Sequence, residues 1–415
     1  MNTPIINAQM LFNARPHKDL LDREDIGSDT WWKTIEKIGT PLQELMGDDI
    51  ELTFLWRDPD GCQSNYARVY IDVYSHTPHP TSSQTSMERV ENTDIWFWKT
   101  RLPSDWCGSY FLMPAKQHQL PPDHADRRTL RQWWINLMRT NAQADQFNLQ
   151  PTHNSGWGLS LSSIQLRDAN VHWAWWSSQE YLKGNLQEQL WQSQRLANER
   201  VVWVYRTSKD ASDNLPLVIL LDGHYWAQHM PIFAPLDELT SRGELPPATY
   251  VLIDALNPEA RSNELPCNEN FWLAVQEELF PQLNISNIDP QRTLIAGQSF
   301  GGLSALYAAL HWPEKFGAVL SQSGSFWWPD SDETGNQGEL TQAVIAGLGK
   351  NKNLRVLLEV GCYETDMIGV NRAMYDALLE QNINVTFQEF RGGHDWNCWR
   401  HGLLRGLSQL LKATN

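Results

Sequence analysis

The chain has 415 residues, with 33 Lys+Arg against 49 Asp+Glu and a formal charge of −16 at pH 7. That length predicts two domains, and a composition of 41% hydrophobic and 20% charged residues excludes a disordered chain. The acidic balance argues against a nucleic-acid partner, which needs a basic face, and no apolar run approaches the roughly 20 residues of a membrane span.

The N-terminal stretch MNTPIINAQMLFNARPHKDL has no charged region followed by an apolar one, so no signal peptide is expected. Cys62, Cys107, Cys267, Cys362 and Cys398 are scattered and odd in number, which supports neither a disulfide framework nor a CxxC zinc site. A soluble intracellular protein is expected. Thirteen of the 21 tryptophans precede residue 200, with doublets at Trp31-Trp32, Trp133-Trp134 and Trp175-Trp176. Their first reading is core packing, because aromatics bury large areas; the sharper one is an aromatic site for a flat ligand.

Residues 50–114 read as short strands. IELTFLWRD, ARVYIDVYS and IWFWKTRL are β-branched, aromatic and partly alternating, and turn formers at Asp58-Pro59-Asp60-Gly61 and from Thr77 to Ser86 separate them. An antiparallel, Ig-like β-sandwich is expected over residues 1–185. Its end, 115–185, holds a helix near Arg127–Arg139 and otherwise reads as irregular linker.

From about 186 to 415 the pattern changes. VVWVYR, PLVILLDG, TYVLIDA, RTLIAGQS, FGAVLSQSG, LRVLLEVG and VTFQEF are buried-strand runs alternating with helical stretches such as GLSALYAALHW and RAMYDALLEQ. This predicts an α/β domain with a mostly parallel sheet, of the α/β-hydrolase kind.

Gly297-Gln298-Ser299-Phe300-Gly301 fits G-x-S-x-G between a strand and a helix, the context of a nucleophile elbow. Ser299 needs a general base. Of the downstream histidines, His311 and His401 lie in helices, whereas His394 lies on a glycine-rich loop directly after VTFQEF and is the expected base. The acid is expected after LRVLLEV. Glu364 is the first choice and Asp366 the second, with an acid-free Ser–His dyad still open. Asp330 and Asp332 read as solvated loop charges, and Asp395 as a residue that orients its own loop. The oxyanion hole is expected from the backbone N–H groups of Phe300 and of His224, in Asp222-Gly223-His224-Tyr225-Trp226.

The runs GQSFGGLSALYAALHWPEKFGAVLSQSGSFWW, YVLIDALNPEARSNELPCNENFWLAVQEELFP and GGHDWNCWRHGLL resemble the enterochelin (enterobactin) esterases. LTFLWRDPDG and WCGSYFLMP resemble the sandwich that precedes the hydrolase in that family. The resemblance runs from about residue 40 to the end. It implies cytoplasmic hydrolysis of the trilactone of a ferric catecholate siderophore through an acyl-enzyme on Ser299. It also implies no cofactor or protein-bound metal, since iron arrives with the substrate. The acid position of the wider family falls where Glu364 stands. Such a ligand carries about −3, and the field of a −16 protein opposes it beyond local contacts. Arg261 is therefore the leading ligand cation, against an ion pair with Glu264; Arg391 and Arg400 are weaker choices. Trp226, Trp327, Trp328 and Trp396 are expected beside the catechol rings, with core packing as the alternative. Competing readings are a feruloyl- or acetyl-type esterase, a thioesterase, and a catalytically silent siderophore-binding protein. The sequence sets no oligomeric state.

Overall fold

The computed structural model describes residues 20–155, 158–176, 181–208, 215–285, 288–329 and 337–412. Asp330, Asp332 and nearly all of the N-terminal stretch read above lie outside the described residues. The chain divides into two compact units: Met1–Val171 with Arg391–Asn397, and His172–Phe390 with Cys398–Asn415. The division falls earlier than residue 185. It also groups a short C-terminal segment with the first unit.

The first unit holds helix α1 (Asp29–Ile38) and strands β1 (Leu42–Met46), β2 (Asp49–Arg57), β3 (Tyr66–Val73), β4 (Glu88–Arg89), β5 (Ile95–Pro103) and β6 (Cys107–Lys116). Helix α2 (Arg127–Asn141) and strands β7 (His153–Asn154) and β8 (Ser160–Gln165) follow. Two four-stranded antiparallel sheets form, in the orders β1-β2-β5-β4 and β3-β6-β8-β7. Phe54 of β2 meets Tyr110 of β6 edge to face at 4.9 Å, so the sheets share aromatic packing. The linker expectation for 115–185 is corrected here. SLSSIQ is too polar to read as buried, yet β8 is almost wholly buried, because pairing with β6 satisfies its backbone.

Helix α1 starts where Ser28 Oγ accepts the Trp31 N–H, and it buries Trp31, Trp32 and Ile35 on one face. Each indole removes on the order of 200 Å² from water, about 5 kcal/mol at ~25 cal/mol per Å². Trp32 also stacks on Phe147 at 5.0 Å. Core packing thus accounts for the first tryptophan doublet.

In the second unit, strands β9 (Asn185–Ser193) and β10 (Asn198–Arg206) form a hairpin. Then come β11 (Leu217–Leu220), helix α3 (Phe233–Ser241), β12 (Thr249–Ile253), α4 (Pro258–Glu264) and α5 (Glu269–Ala274), which runs on through a π turn to Gln282. The rest is β13 (Thr293–Gln298), α6 (Phe300–His311), β14 (Ala318–Gln322), α7 (Glu339–Ile345), β15 (Arg355–Gly361), α8 (Thr365–Glu380), β16 (Asn384–Phe390) and α9 (Trp396–Lys412), whose first two residues fall in the segment grouped with the first unit. The eight-stranded sheet has the order β16-β15-β14-β13-β11-β12-β10-β9, parallel from β16 to β12. No helix among the described residues is long and apolar enough to cross a membrane.

Candidate active site

Ser299 sits between β13 and α6 at φ 58°, ψ −118°, a region non-glycine residues rarely occupy. A Cβ on Gly297 would overlap the Gly301 backbone, so the turn requires glycine there. The Ser299 N–H donates to the Gln322 carbonyl at 2.9 Å, and Ser299 Oγ lies 3.2 Å from Ser325 Oγ. The Phe300 N–H opens α6, one of the donors a helix leaves without an intrahelical acceptor. His224 likewise lies in the first turn of a helical segment beginning at Gly223. A Cβ on Gly223 would overlap the Leu252–Ile253 backbone, so only glycine lets this loop lie against β12. His224 Nδ1 is 3.0 Å from Asp254 Oδ1. Burial pushes the Asp254 carboxyl up, but the His224 hydrogen bond and charge outweigh it and hold the group below its usual value.

Arg261 on α4 pairs with Asp222, Nε to Oδ1 at 2.5 Å and Nη2 to Oδ2 at 2.8 Å, and Nη2 also donates to the Gln298 carbonyl at 3.1 Å. Burial opposes its charge, yet the Asp222 carboxylate raises its pKa. The expected alternative partner, Glu264, is taken by Arg200 at 2.6 Å. Glu264 is only three residues from Arg261, whereas Asp222 is 39 residues away, so sequence proximity did not decide the pairing.

Below the elbow runs a polar ladder the sequence reading missed. Gln298, Gln322 and Glu359 are in register on three parallel strands. Trp226 Nε1 donates to Gln298 Oε1 at 3.2 Å, Gln298 Nε2 to Gln322 Oε1 at 2.9 Å, and Gln322 Nε2 to Glu359 Oε2 at 2.7 Å. Burial raises the Glu359 pKa, partly offset by Gln322 and Arg405. Only the repeated Gln-Ser at strand ends hinted at this arrangement. It also corrects Trp226 as a catechol neighbour: its ring is fully buried as part of the ladder.

Glu364 is buried, and its Oε1 accepts from Ser323 Oγ at 2.6 Å and from the Gly361 N–H at 2.8 Å. Ser323 Oγ in turn accepts from Trp399 Nε1 at 2.9 Å. Asp366 is exposed in the first turn of α8, where it complements the helix dipole. Trp327 is half-buried and its ring lies 5.8 Å from that of Phe300; Trp328 is half-buried beside it. Arg400 is buried over the rings of Trp175 and Trp176. His401 is buried too, and its Nδ1 accepts the His172 N–H at 2.9 Å. Burial, then Arg400, Arg405 and His172, hold it well below the ordinary value, so it is a neutral packing group. His311 lies against Tyr307 on the surface of α6.

His394, Trp396 and Arg391 belong to the segment grouped with the first unit. His394 is exposed and its N–H donates to Ser75 Oγ at 3.0 Å. Trp396 is half-buried, and Arg391 is exposed with Asp105 at 3.1 Å. Among the described residues no group of His, Cys, Asp and Glu is arranged to hold a metal.

A serine on a strained strand–helix turn at the carboxyl edge of a mostly parallel sheet is the arrangement of the α/β-hydrolase class. The Esterase family model matches residues 193–410, and the model described as enterochelin esterase, N-terminal, matches residues 51–175. The chain is 42% identical to the iron(III) enterobactin esterase of Escherichia coli O6:H1, over 93% of this chain and 96% of that one. The enterobactin esterase of Shigella flexneri, crystallised in the presence of enterobactin, superposes with a TM-score of 0.82 at 40% identity, over 94% of this chain and all of the other. The ferric enterobactin esterase of Salmonella typhimurium gives 0.85 at 39% identity, over 93% and 99%. The chain belongs to the enterobactin esterase family.

Proposed function

We propose that this chain hydrolyses the trilactone ester bonds of ferric enterobactin, or of a close catecholate relative, through an acyl-enzyme on Ser299. The observation that carries the reading is the Ser299 elbow, in a chain whose two units both match the family. Ser299 Oγ bonds to an ester carbonyl carbon while its proton passes to His394. The carbonyl oxygen becomes an oxyanion facing the N–H groups of Phe300 and His224. The C–O bond to the neighbouring serine unit then breaks, and that oxygen takes the proton from His394. Water, deprotonated by His394, releases the acid and frees Ser299. Glu364 is the group that orients the imidazole; its burial and its two donors favour it over the exposed Asp366.

Trp327, Trp328 and Trp396 are only half-buried and supply faces for catechol rings. Arg261 spends most of its charge on Asp222, so it offers a directed donor at Nη1 to a catecholate oxygen in place of net attraction. Iron enters with the substrate. We place the reaction in the cytoplasm; no disulfide forms among the described residues, which include all five cysteines, as a reducing compartment requires.

Incubation with ferric enterobactin, read by mass spectrometry, tests the proposal. Linear trimer and smaller acyl-serine fragments, lost in Ser299→Ala, support it. Intact ligand alongside cleaved simple aryl esters would move the substrate to another acyl ester.

A further inference from the structure

The loop 391–397 leaves a hydrolase strand, β16, yet it is held by the sandwich unit. The His394 N–H donates to Ser75 Oγ, 319 residues earlier in the chain, at 3.0 Å. Ser75 sits at φ 59° in the turn after β3. That turn is closed by Thr77 Oγ1, which accepts the Val73 N–H at 3.2 Å and donates to Asp72 Oδ1 at 2.9 Å. A Cβ on Gly393 would fall inside the Ser75 side chain, so glycine is what lets the two segments meet.

One residue beyond the base, Asp395 is buried, and its Oδ1 accepts from Ser109 Oγ of β6 at 2.9 Å and from the Asn397 N–H at 2.9 Å. Ser109 Oγ also lies 2.8 Å from His153 Nε2. The hydroxyl has a single hydrogen, so with that hydrogen on Asp395 the imidazole is the donor to Ser109. Asn397 Nδ2 donates to the Gly108 carbonyl at 2.9 Å. The Arg391–Asp105 pair is exposed and adds little. The anchors of this segment thus include Ser75 Oγ on the His394 N–H itself and Ser109 Oγ on the next residue, Asp395.

We propose that Ser75 and Ser109 are positioning residues for the general base. The inference rests on the reading of His394 as that base. A loop containing Gly392-Gly393 has a wide conformational range in isolation, and an error of about 1 Å in a catalytic group costs on the order of 100-fold in rate. Two buried or half-buried anchors, one on the His394 N–H and one on Asp395, restrict the backbone that carries the imidazole.

The test uses the full chain with ferric enterobactin and a fluorophosphonate that labels active serines. Ser75→Ala and Ser109→Ala are expected to lower kcat about tenfold or more and slow labelling in parallel, with KM within about twofold and the melting transition retained. Gly393→Ala is expected to lose about 100-fold. Ser75→Gly, tolerated by the positive φ, is expected to return at least tenfold of that loss when combined with Gly393→Ala, because it removes the overlapping side chain. Wild-type kcat in the serine variants, with His394→Ala inactive, would overturn the positioning role and leave the base. A Gly393→Ala loss that Ser75→Gly does not relieve would also overturn it. Activity retained in His394→Ala would overturn the base reading and the inference with it.

Discussion

Arg261 grips Asp222 through two parallel hydrogen bonds, at 2.5 and 2.8 Å, and spends a third on the Gln298 carbonyl at 3.1 Å. The pair joins the loop after β11, which offers the His224 N–H, to the residue immediately before Ser299. Two ends of the proposed oxyanion site are thus tied by one side chain.

Because the Asp222 side chain is wholly inaccessible, Arg261→Ala leaves an uncompensated buried carboxylate. We expect a loss of about 3–5 kcal/mol in urea unfolding. Arg261→Lys should recover only part of it, since an ammonium cannot match the two-pronged geometry.

Ser299→Ala should lower kcat for ferric enterobactin by at least about 10³-fold and abolish fluorophosphonate labelling, with folding intact. The strained φ predicts a further outcome. Ser299→Gly should unfold at least as cooperatively as wild type, because glycine occupies φ 58° without the side-chain penalty.

Glu364→Gln should reduce kcat by about 10²–10⁴-fold, the range seen when the orienting acid of a triad is neutralised. Asp366→Asn, exposed in the first turn of α8, should stay within about threefold. Equal losses in both variants would reassign the acid, and unchanged kcat in both would indicate a Ser–His dyad.

Asp72 of β3 is pushed up to about 6 by burial, against a smaller opposing pull from its Thr77 hydrogen bond. A carboxyl raised on folding binds its proton more tightly in the native state. Its contribution to stability is therefore present below the unfolded value of about 4 and lost as pH rises to about 6. Asp72→Asn removes that dependence. Thermal unfolding should show the variant gaining on wild type between pH 4 and 6, and holding that gain above it.

Much of the architecture was legible in the sequence. Runs such as RTLIA and LRVLLEV are β-branched and apolar because a parallel sheet covered on both faces demands it. The strand–Ser299–helix context followed directly, since the glycine at 297 stands where the turn has no room for a side chain. β8 was not legible, because SLSSIQ gains its burial by pairing with β6 rather than from its own hydrophobicity.

The sequence by itself determined the alternation of elements, the elbow and the short list of groups able to act as base and acid, because those depend on local spacing and residue chemistry. Only the tertiary structure decided that Arg261 takes Asp222 and not Glu264, and that Trp226 is buried in a ladder with Gln298 and Gln322. It alone decided that the His394 N–H finds its acceptor on Ser75. Each of these contacts depends on strand register or on a chain reversal spanning tens to hundreds of residues. Close packing selects one partner among several that are chemically equivalent on the page.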